Sequence, residues 1–276
     1  MSDATPQNEP VVEIRNLRAG YGEKVIVSDV SFAVPRGRIV CLIGGSGCGK
    51  STVVRTLTGQ LRPMAGEVRV FGQNPHSIDE AGRIALLRRM GMMFQAGALL
   101  GSMSVGDNIA LPYREHTQLP DAIIRRIVDA KLALVGLPGT ASLMPAELSG
   151  GMRKRASLSR AIAMDPELLL CDEPSAGLDP IVAAGIDVTM RHLQRSLNMT
   201  MIVVTHELAS IELIADYVVM LKDGKVRAQG TVAELKQSAI DDVREFFARR
   251  PPDEQIDAGQ SLLAALSAAP SPETAA

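Results

Sequence analysis

Apolar residues along this chain come in short runs separated by turn-forming or helical stretches. VVEIRNL (residues 11–17), VIVSDVSFAV (25–34), RIVCLI (38–43), EVRVF (67–71), GMMF (91–94), LLLC (168–171), MIVV (201–204) and YVVMLK (217–222) have the length and composition of strands. Helical periodicity follows several of them, and this alternation predicts an α/β fold in which helices cover a sheet. The first strands are closely spaced, with AGYGEK and VPRGR between them, which predicts antiparallel hairpins ahead of the first helix. From about residue 77 to 163 the pattern is mostly helical. Ser77 and Glu80 stand at capping-box spacing there and Pro120 stands at a helix start, so this stretch predicts a helical lobe. Residues 1–10 read as a tail, 11–236 as one domain containing the lobe, and 237–276 as an extension. Val243, Phe246 and Phe247 are spaced to share one helix face, whereas the Pro-, Ala-, Ser- and Gln-rich text after Arg249 predicts a flexible segment.

Composition narrows the function classes. A chain of 276 residues, 46% of them hydrophobic, is long enough to bury a substantial core. Its 29 Lys and Arg nearly balance 31 Asp and Glu, so no strong field argues for nucleic-acid binding. Cys41, Cys48 and Cys171 are odd in number and lack paired metal spacing, which predicts a reducing compartment. The start MSDATPQNEP lacks the apolar core of a signal peptide, and no apolar stretch approaches ~18 residues. The expectation is a cytosolic protein that does not itself cross a membrane. His76, His116 and His192 have no ligand-like spacing, and Arg153, Lys154 and Arg155 read as a solvated helix face.

The chemistry concentrates in two places. GGSGCGKST, behind the buried run RIVCLI, matches the phosphate-loop pattern G-x-x-x-x-G-K-[ST] and precedes a helical stretch beginning TVVRTL. Gly44, Gly45, Ser46, Gly47, Cys48, Gly49, Lys50, Ser51 and Thr52 form this candidate cradle of a P-loop NTPase, with backbone N–H groups aimed at phosphate oxygens. Lys50 is expected on the β- and γ-phosphates of ATP and Ser51 on Mg²⁺. The second place is LLLCDE, residues 168–173, where a buried strand ends on two acids. Asp172 is expected at Mg²⁺, and Glu173 is placed to polarise an attacking water, which is the chemistry of hydrolysis.

LSGGM (148–152) resembles the signature motif of the ATP-binding-cassette (ABC) ATPases, and the resemblance extends over about residues 11–236. The order of parts is the family's: Tyr21, the phosphate loop, Gln95 in MMFQ, the signature, LLLCDE, SAGLDP and His206 in VVTHE. The resemblance implies a cassette with an antiparallel β subdomain and an α-helical subdomain. It further implies that Tyr21 stacks on adenine, Gln95 meets Mg²⁺ and senses the membrane partner, Asp179 joins the dimer interface, and His206 contacts the γ-phosphate. Read from the residues themselves, Ser149 is a helix N-cap while Gly150 and Gly151 permit close approach to an anion. In the family that anion is held by a second subunit, so a homodimer with two competent sites is implied. Met152 departs from the Gln usual in the family.

AGALLGSMSVGDNIALPYREHTQLP, LMPAELSGGM and DDVREFFARR are similar to the MlaF-type ATPases of the Mla phospholipid transporters. That similarity implies a permease of MlaE type, a STAS-domain subunit of MlaB type and a substrate-binding MCE protein of MlaD type, with the cassette peripheral on the cytoplasmic face of the inner membrane. Leu99, Leu100, Met103 and Tyr113 are the residues expected to form the permease groove. Two other readings compete with phospholipid transport: the same ATPase serving another small substrate, and a nucleotide-gated clamp without a transporter. The clamp is disfavoured because no long heptad insertion interrupts the cassette.

Overall fold

Residues 9–95 and 97–248 are described by the computed structural model of the chain. Most of the expected N-terminal tail, Ala96 and the segment from Arg249 onward lie outside them. β1 (Val12–Tyr21) and β2 (Lys24–Val34) form the first expected hairpin, with Tyr21 opposite Lys24 across a two-residue turn. The second expected hairpin is absent. VPRGR instead carries the chain out of this sheet into β3 (Ile39–Gly44), which is buried along its whole length in a parallel sheet. Gly37 makes that crossing at φ +66°; its N–H donates to Thr200 Oγ1 at 2.9 Å and its carbonyl accepts from Gln194 Nε2 at 2.7 Å. Helix α1 (Lys50–Leu57) follows, and β4 (Ala65–Val70) returns to complete a three-stranded antiparallel sheet in the order β2-β1-β4.

The larger sheet adds β5 (Met90–Met93), β6 (Leu168–Asp172), β7 (Thr200–Val204), β8 (Tyr217–Lys222) and β9 (Lys225–Gly230), in the order β5-β6-β7-β3-β8-β9. Every pair is parallel except β8 with β9. β3 and β7 are buried at every position, and β6 at all but its last, as expected for parallel strands covered on both faces. The sequence pattern missed β9 because its strand alternates polar and small residues. Its signal was the turn: Asp223 and Gly224 have φ +50° and +74°, the two-residue Asp-Gly hairpin loop.

Between β4 and β6 lie α2 (Glu80–Arg88), α3 (Val105–His116), α4 (Asp121–Leu134) and α5 (Gly150–Ala161), interrupted by β5, which belongs to the sheet. The expected Ser77 cap is displaced by two residues. Asp79 caps α2 by accepting from the Gly82 N–H at 2.8 Å, while Ser77 Oγ donates backward to the Asn74 carbonyl at 3.3 Å. Pro120 does stand at the start of α4. Buried Asn108 fastens the loop before α3: it accepts from Leu100 N at 2.7 Å and donates to the carbonyls of Leu100, Met103 and Ser104. After β6 come α6 (Pro180–Leu197) and α7 (Leu208–Ile214), and after β9 the short α8 (Val232–Lys236) and α9 (Asp241–Ala248). The described residues divide into two units at the Leu235–Lys236 boundary. Within α9, Val243 and Phe247 are buried and the Phe246 and Phe247 rings meet edge to face at 5.3 Å. Among the described residues, no helix is long and apolar enough to cross a membrane.

The strand order decides what can meet. Because β5, β6, β7 and β3 run parallel side by side, their carboxyl ends lie along one edge of the sheet. The segments leaving them, with Gln95, Asp172–Glu173, His206 and the glycine-rich loop, therefore emerge as neighbours, where open α/β sheets bind ligands.

Candidate nucleotide site

The glycine-rich loop leaves β3 at Gly44, whose φ of +143° suits only glycine, and a Cβ there would stand 2.2 Å from the Leu221 carbonyl oxygen. Gly45, Ser46, Gly47 and Ser51 are exposed, whereas Cys48 and Thr52 turn inward and are buried. Helix α1 opens on Gly49 with no side chain capping it. Its first N–H groups are thus left for a group outside the helix, and their partial positive charge favours an anion. Lys50 Nζ donates to the carbonyls of Gly44 at 2.7 Å and Gly45 at 2.8 Å, which places its ammonium inside the curve of the loop.

Glu173 lies at the centre of the acidic element. Its Oε2 accepts from Gln95 Nε2 at 2.9 Å and its Oε1 meets His206 Nδ1 at 2.9 Å, so residues 78 and 33 positions away in sequence converge on one carboxylate. Its backbone has φ +48°, a left-handed conformation uncommon outside glycine, held by its N–H donating to Val204 O at 2.8 Å. Asp172, at the end of β6, is half-buried. Burial first and the neighbouring Glu173 charge second raise its carboxyl above the usual carboxylate range. The buried thiols of Cys41 and Cys171 are also pushed up, Cys171 to about 12, which leaves both protonated and unreactive.

Of the basic cluster after the signature, Arg153 is exposed as expected, whereas Lys154 and Arg155 are half-buried. Arg153 donates to Leu148 O at 3.2 Å, and Arg155 spans Val135 O at 2.9 Å and Thr189 Oγ1 at 3.0 Å. Half-buried Lys154 reaches the main-chain carbonyls of Gln95 at 2.5 Å and Glu173 at 3.1 Å. Helix periodicity alone assigned all three side chains to solvent; segments distant in sequence partly cover Lys154 and Arg155.

At the signature, Ser149 Oγ accepts from Met152 N at 3.3 Å and caps α5, and both Ser149 and Gly150 are exposed. Gly151 serves packing as well, since a Cβ there would come within 2.5 Å of Val182 Cγ1 on α6. Asp179 caps α6, accepting from Ile181 N at 3.2 Å and Val182 N at 3.1 Å, a role the sequence reading did not assign. Tyr21, at the end of β1, is exposed. Arg55 Nη1 donates to its hydroxyl at 2.6 Å, with the guanidinium carbon 5.8 Å from the ring centroid.

The four residues expected to form the permease groove differ in exposure. Tyr113 is buried and donates to Ala163 O, Leu99 and Met103 are half-exposed, and Leu100 is exposed. A groove of about 350 Å³ is lined by the apolar Ile84, Leu87, Met92, Phe94, Pro112 and Met164 together with Arg88, His116 and Arg160, on α2, β5 and the lobe. Ile84, Leu87 and Phe94 are 47%, 36% and 43% exposed, more apolar surface in one place than a closed monomer needs.

Known proteins bear on this geometry. The ABC transporter family profile matches residues 27–176. The chain is 45% identical over 231 residues to the "Intermembrane phospholipid transport system ATP-binding protein MlaF" of Haemophilus influenzae, covering 84% of this chain and 88% of that protein. It is 40% identical over 210 residues to the "Probable ribonucleotide transport ATP-binding protein mkl" of Mycobacterium tuberculosis, covering 76% of this chain and 58% of that one. Among solved structures, a dimeric ATP-binding cassette in a post-hydrolysis state bound to ADP and Pi superposes with a TM-score of 0.73 at 26% identity, over 80% of this chain and 98% of that one. With the signature, the glycine-rich loop and the strand-end acids arranged on one sheet edge, the chain belongs to the ABC transporter family of ATP-binding cassettes, and within it to the MlaF type.

Proposed function

We propose that this chain hydrolyses ATP to power phospholipid movement between the two membranes of a double-membraned bacterium, through a separate permease. The observation that carries the hydrolytic part is the Glu173 carboxylate, held between Gln95 and His206 at 2.9 Å each, on the strand next but one to the phosphate loop. A carboxylate so oriented accepts a proton from a water as that water's oxygen attacks the γ-phosphorus; the bond to the bridging oxygen breaks, leaving ADP and inorganic phosphate. Lys50 binds the β- and γ-phosphates by turning from the Gly44 and Gly45 carbonyls toward them. His206 fixes one carboxylate oxygen and reaches the γ-phosphate, while Tyr21, steadied by Arg55, stacks on adenine.

The donors near the acidic element suit Mg²⁺. The Ser51 hydroxyl, the Gln95 amide oxygen and the Asp172 carboxylate are hard oxygen ligands, and a cation would relieve the burial that raises the Asp172 carboxyl. When bound, the ion neutralises charge on the transferred phosphate.

Ser149 and Gly150 are exposed at the start of α5, and no ligand of the same chain is needed to explain them. They face the nucleotide of a second copy in a homodimer, with Asp179 at the shared interface. The groove around Phe94 receives the permease, of MlaE type, and the complete assembly adds a STAS subunit of MlaB type and an MCE protein of MlaD type on the inner membrane, with the cassette on its cytoplasmic face. The identity to the relative named for intermembrane phospholipid transport supports this cargo. The relative named for ribonucleotide transport favours a second reading, a different small substrate on the same engine. Co-purification with a candidate permease, followed by lipid analysis, separates them: bound phospholipid supports the first, and a lipid-free complex stimulated by a soluble substrate supports the second.

A further inference from the structure

Lys154 touches both parts of the site that hydrolysis requires, yet neither the phosphate-loop motif nor the signature motif includes it. It lies on α5, one turn beyond the Ser149 cap. Its Nζ donates to the Gln95 carbonyl at 2.5 Å and to the Glu173 carbonyl at 3.1 Å, while the Gln95 side chain donates to Glu173 Oε2 at 2.9 Å. These bonds close a ring: signature helix to glutamine-loop main chain, glutamine side chain to the acidic carboxylate, and Glu173 main chain back to the helix.

The Glu173 peptide needs such a support. Its φ of +48° is costly for a side chain branching beyond Cβ, by about 1 kcal/mol or more, and a conformation of this kind persists only where surrounding bonds over-determine it. The Glu173 N–H is fixed by Val204 O from β7; its carbonyl is fixed by Lys154. Burial pulls the Lys154 ammonium below the usual lysine range, against the opposing pull of the Glu173 and Asp172 charges; its two bonds to main-chain carbonyls are charge-assisted and so among the stronger kind.

We propose that Lys154 is a positioning residue for hydrolysis: it holds the carbonyls of Gln95 and Glu173 to the signature helix, so that the water-polarising carboxylate moves with the helix that reads the partner's nucleotide. A shift of α5 on meeting a phosphate held by the second copy is thereby delivered to this chain's own Glu173. The inference rests on the reading of Glu173 as the group that polarises water. Both bonds of Lys154 go to main-chain carbonyls, so its loss leaves ATP binding in place and lowers only the chemical step.

The test compares Lys154→Met, which keeps length and removes all three donors, with Lys154→Arg, which keeps charge and donors. Steady-state ATPase, mant-ATP affinity and Tm are measured on the full chain. The expected result is a loss in kcat of about tenfold or more for Lys154→Met, with KM and mant-ATP affinity within about twofold and Tm unchanged, and recovery of most of kcat in Lys154→Arg. Unchanged kcat in Lys154→Met overturns the proposal, as does a parallel fall of kcat, affinity and Tm, or an equal loss in both variants. Should Lys154→Met fail to fold, Lys154→Gln replaces it in the same comparison. Glu173→Gln, assayed alongside, separates the two readings: turnover retained in Glu173→Gln defeats the catalytic assignment, while turnover retained in Lys154→Met with Glu173→Gln inactive defeats only this inference.

Discussion

At the residue scale, the largest effects belong to groups whose charge has a single use. Lys50→Ala removes the ammonium curled among the Gly44 and Gly45 carbonyls and lowers ATP affinity by about tenfold to a hundredfold, measured by mant-ATP titration. Met152→Gln changes little, because the main-chain N–H of residue 152, not its side chain, completes the Ser149 cap; turnover stays within about threefold, and a larger change would move the phosphate-facing surface onto that side chain. Buried Asp187 on α6 accepts from Ser210 Oγ at 2.6 Å through one oxygen, and its other oxygen has no partner among the described residues. Burial raises its carboxyl to about 6. The folded chain therefore takes up this proton more readily than the unfolded chain, so the group's contribution is greatest at low pH and is lost as pH rises from about 4 through about 6, by about 3 kcal/mol. Asp187→Asn abolishes that window. The difference in unfolding free energy, variant minus wild type, grows in the variant's favour between about pH 4 and pH 7 by urea denaturation, and a flat difference contradicts the assignment. The residues that carry these effects were unequally visible in the sequence. Lys50, Asp172 and Glu173 stand in motifs whose spacing follows from phosphate geometry. Lys154 and Asp187 have no motif, since their neighbours come from segments tens of residues away, and the left-handed backbone of Glu173 leaves no trace in residue type.

At the scale of elements, eight apolar runs were legible: those of β3, β6 and β7 because parallel strands covered on both faces are continuously hydrophobic, and those of β1, β2 and β4 because each antiparallel strand keeps one buried face. β9 was not, since it lies at the sheet edge and only its Asp223–Gly224 loop distinguished it. VPRGR carries turn residues that suit either a hairpin or a crossing, and the choice is made by bonds from Gly37 to Thr200 and Gln194, more than 150 residues on. Gly151 illustrates the same dependence on distant contacts. A valine there collides with Val182 before it could meet any nucleotide, so Gly151→Val lowers Tm as well as turnover, and a loss of turnover at unchanged Tm would show that packing of α5 on α6 is not its constraint. The groove on α2 and β5 makes a cleaner element-level prediction. Ile84→Glu with Leu87→Glu places two charges on exposed apolar positions outside the nucleotide site. ATPase activity and mant-ATP affinity of the isolated chain stay within about twofold, while recovery of the permease in a pull-down falls by about tenfold or more. Undiminished recovery would place the permease on another surface.

At the scale of the whole molecule, the parallel order β5-β6-β7-β3 gathers the glutamine, the acids, the histidine and the phosphate loop on one edge, while the capped start of α5 is exposed; the proposed homodimer uses both surfaces. The family resemblance read from LSGGM, LLLCDE and SAGLDP agrees with the profile match over residues 27–176 and with the shared architecture of a dimeric cassette. The cargo is read from identity along the chain rather than from the nucleotide site. The central claim is that Glu173 polarises the attacking water within a sandwich of two copies. The measurement that tests it most directly is Glu173→Gln in the full chain, followed by light scattering during gel filtration with Mg²⁺-ATP and by release of inorganic phosphate. The account predicts ATP-dependent dimers that retain unhydrolysed ATP, with turnover lowered by about a hundredfold or more; turnover within a few-fold of the wild type, or a chain that stays monomeric with ATP bound, would contradict it.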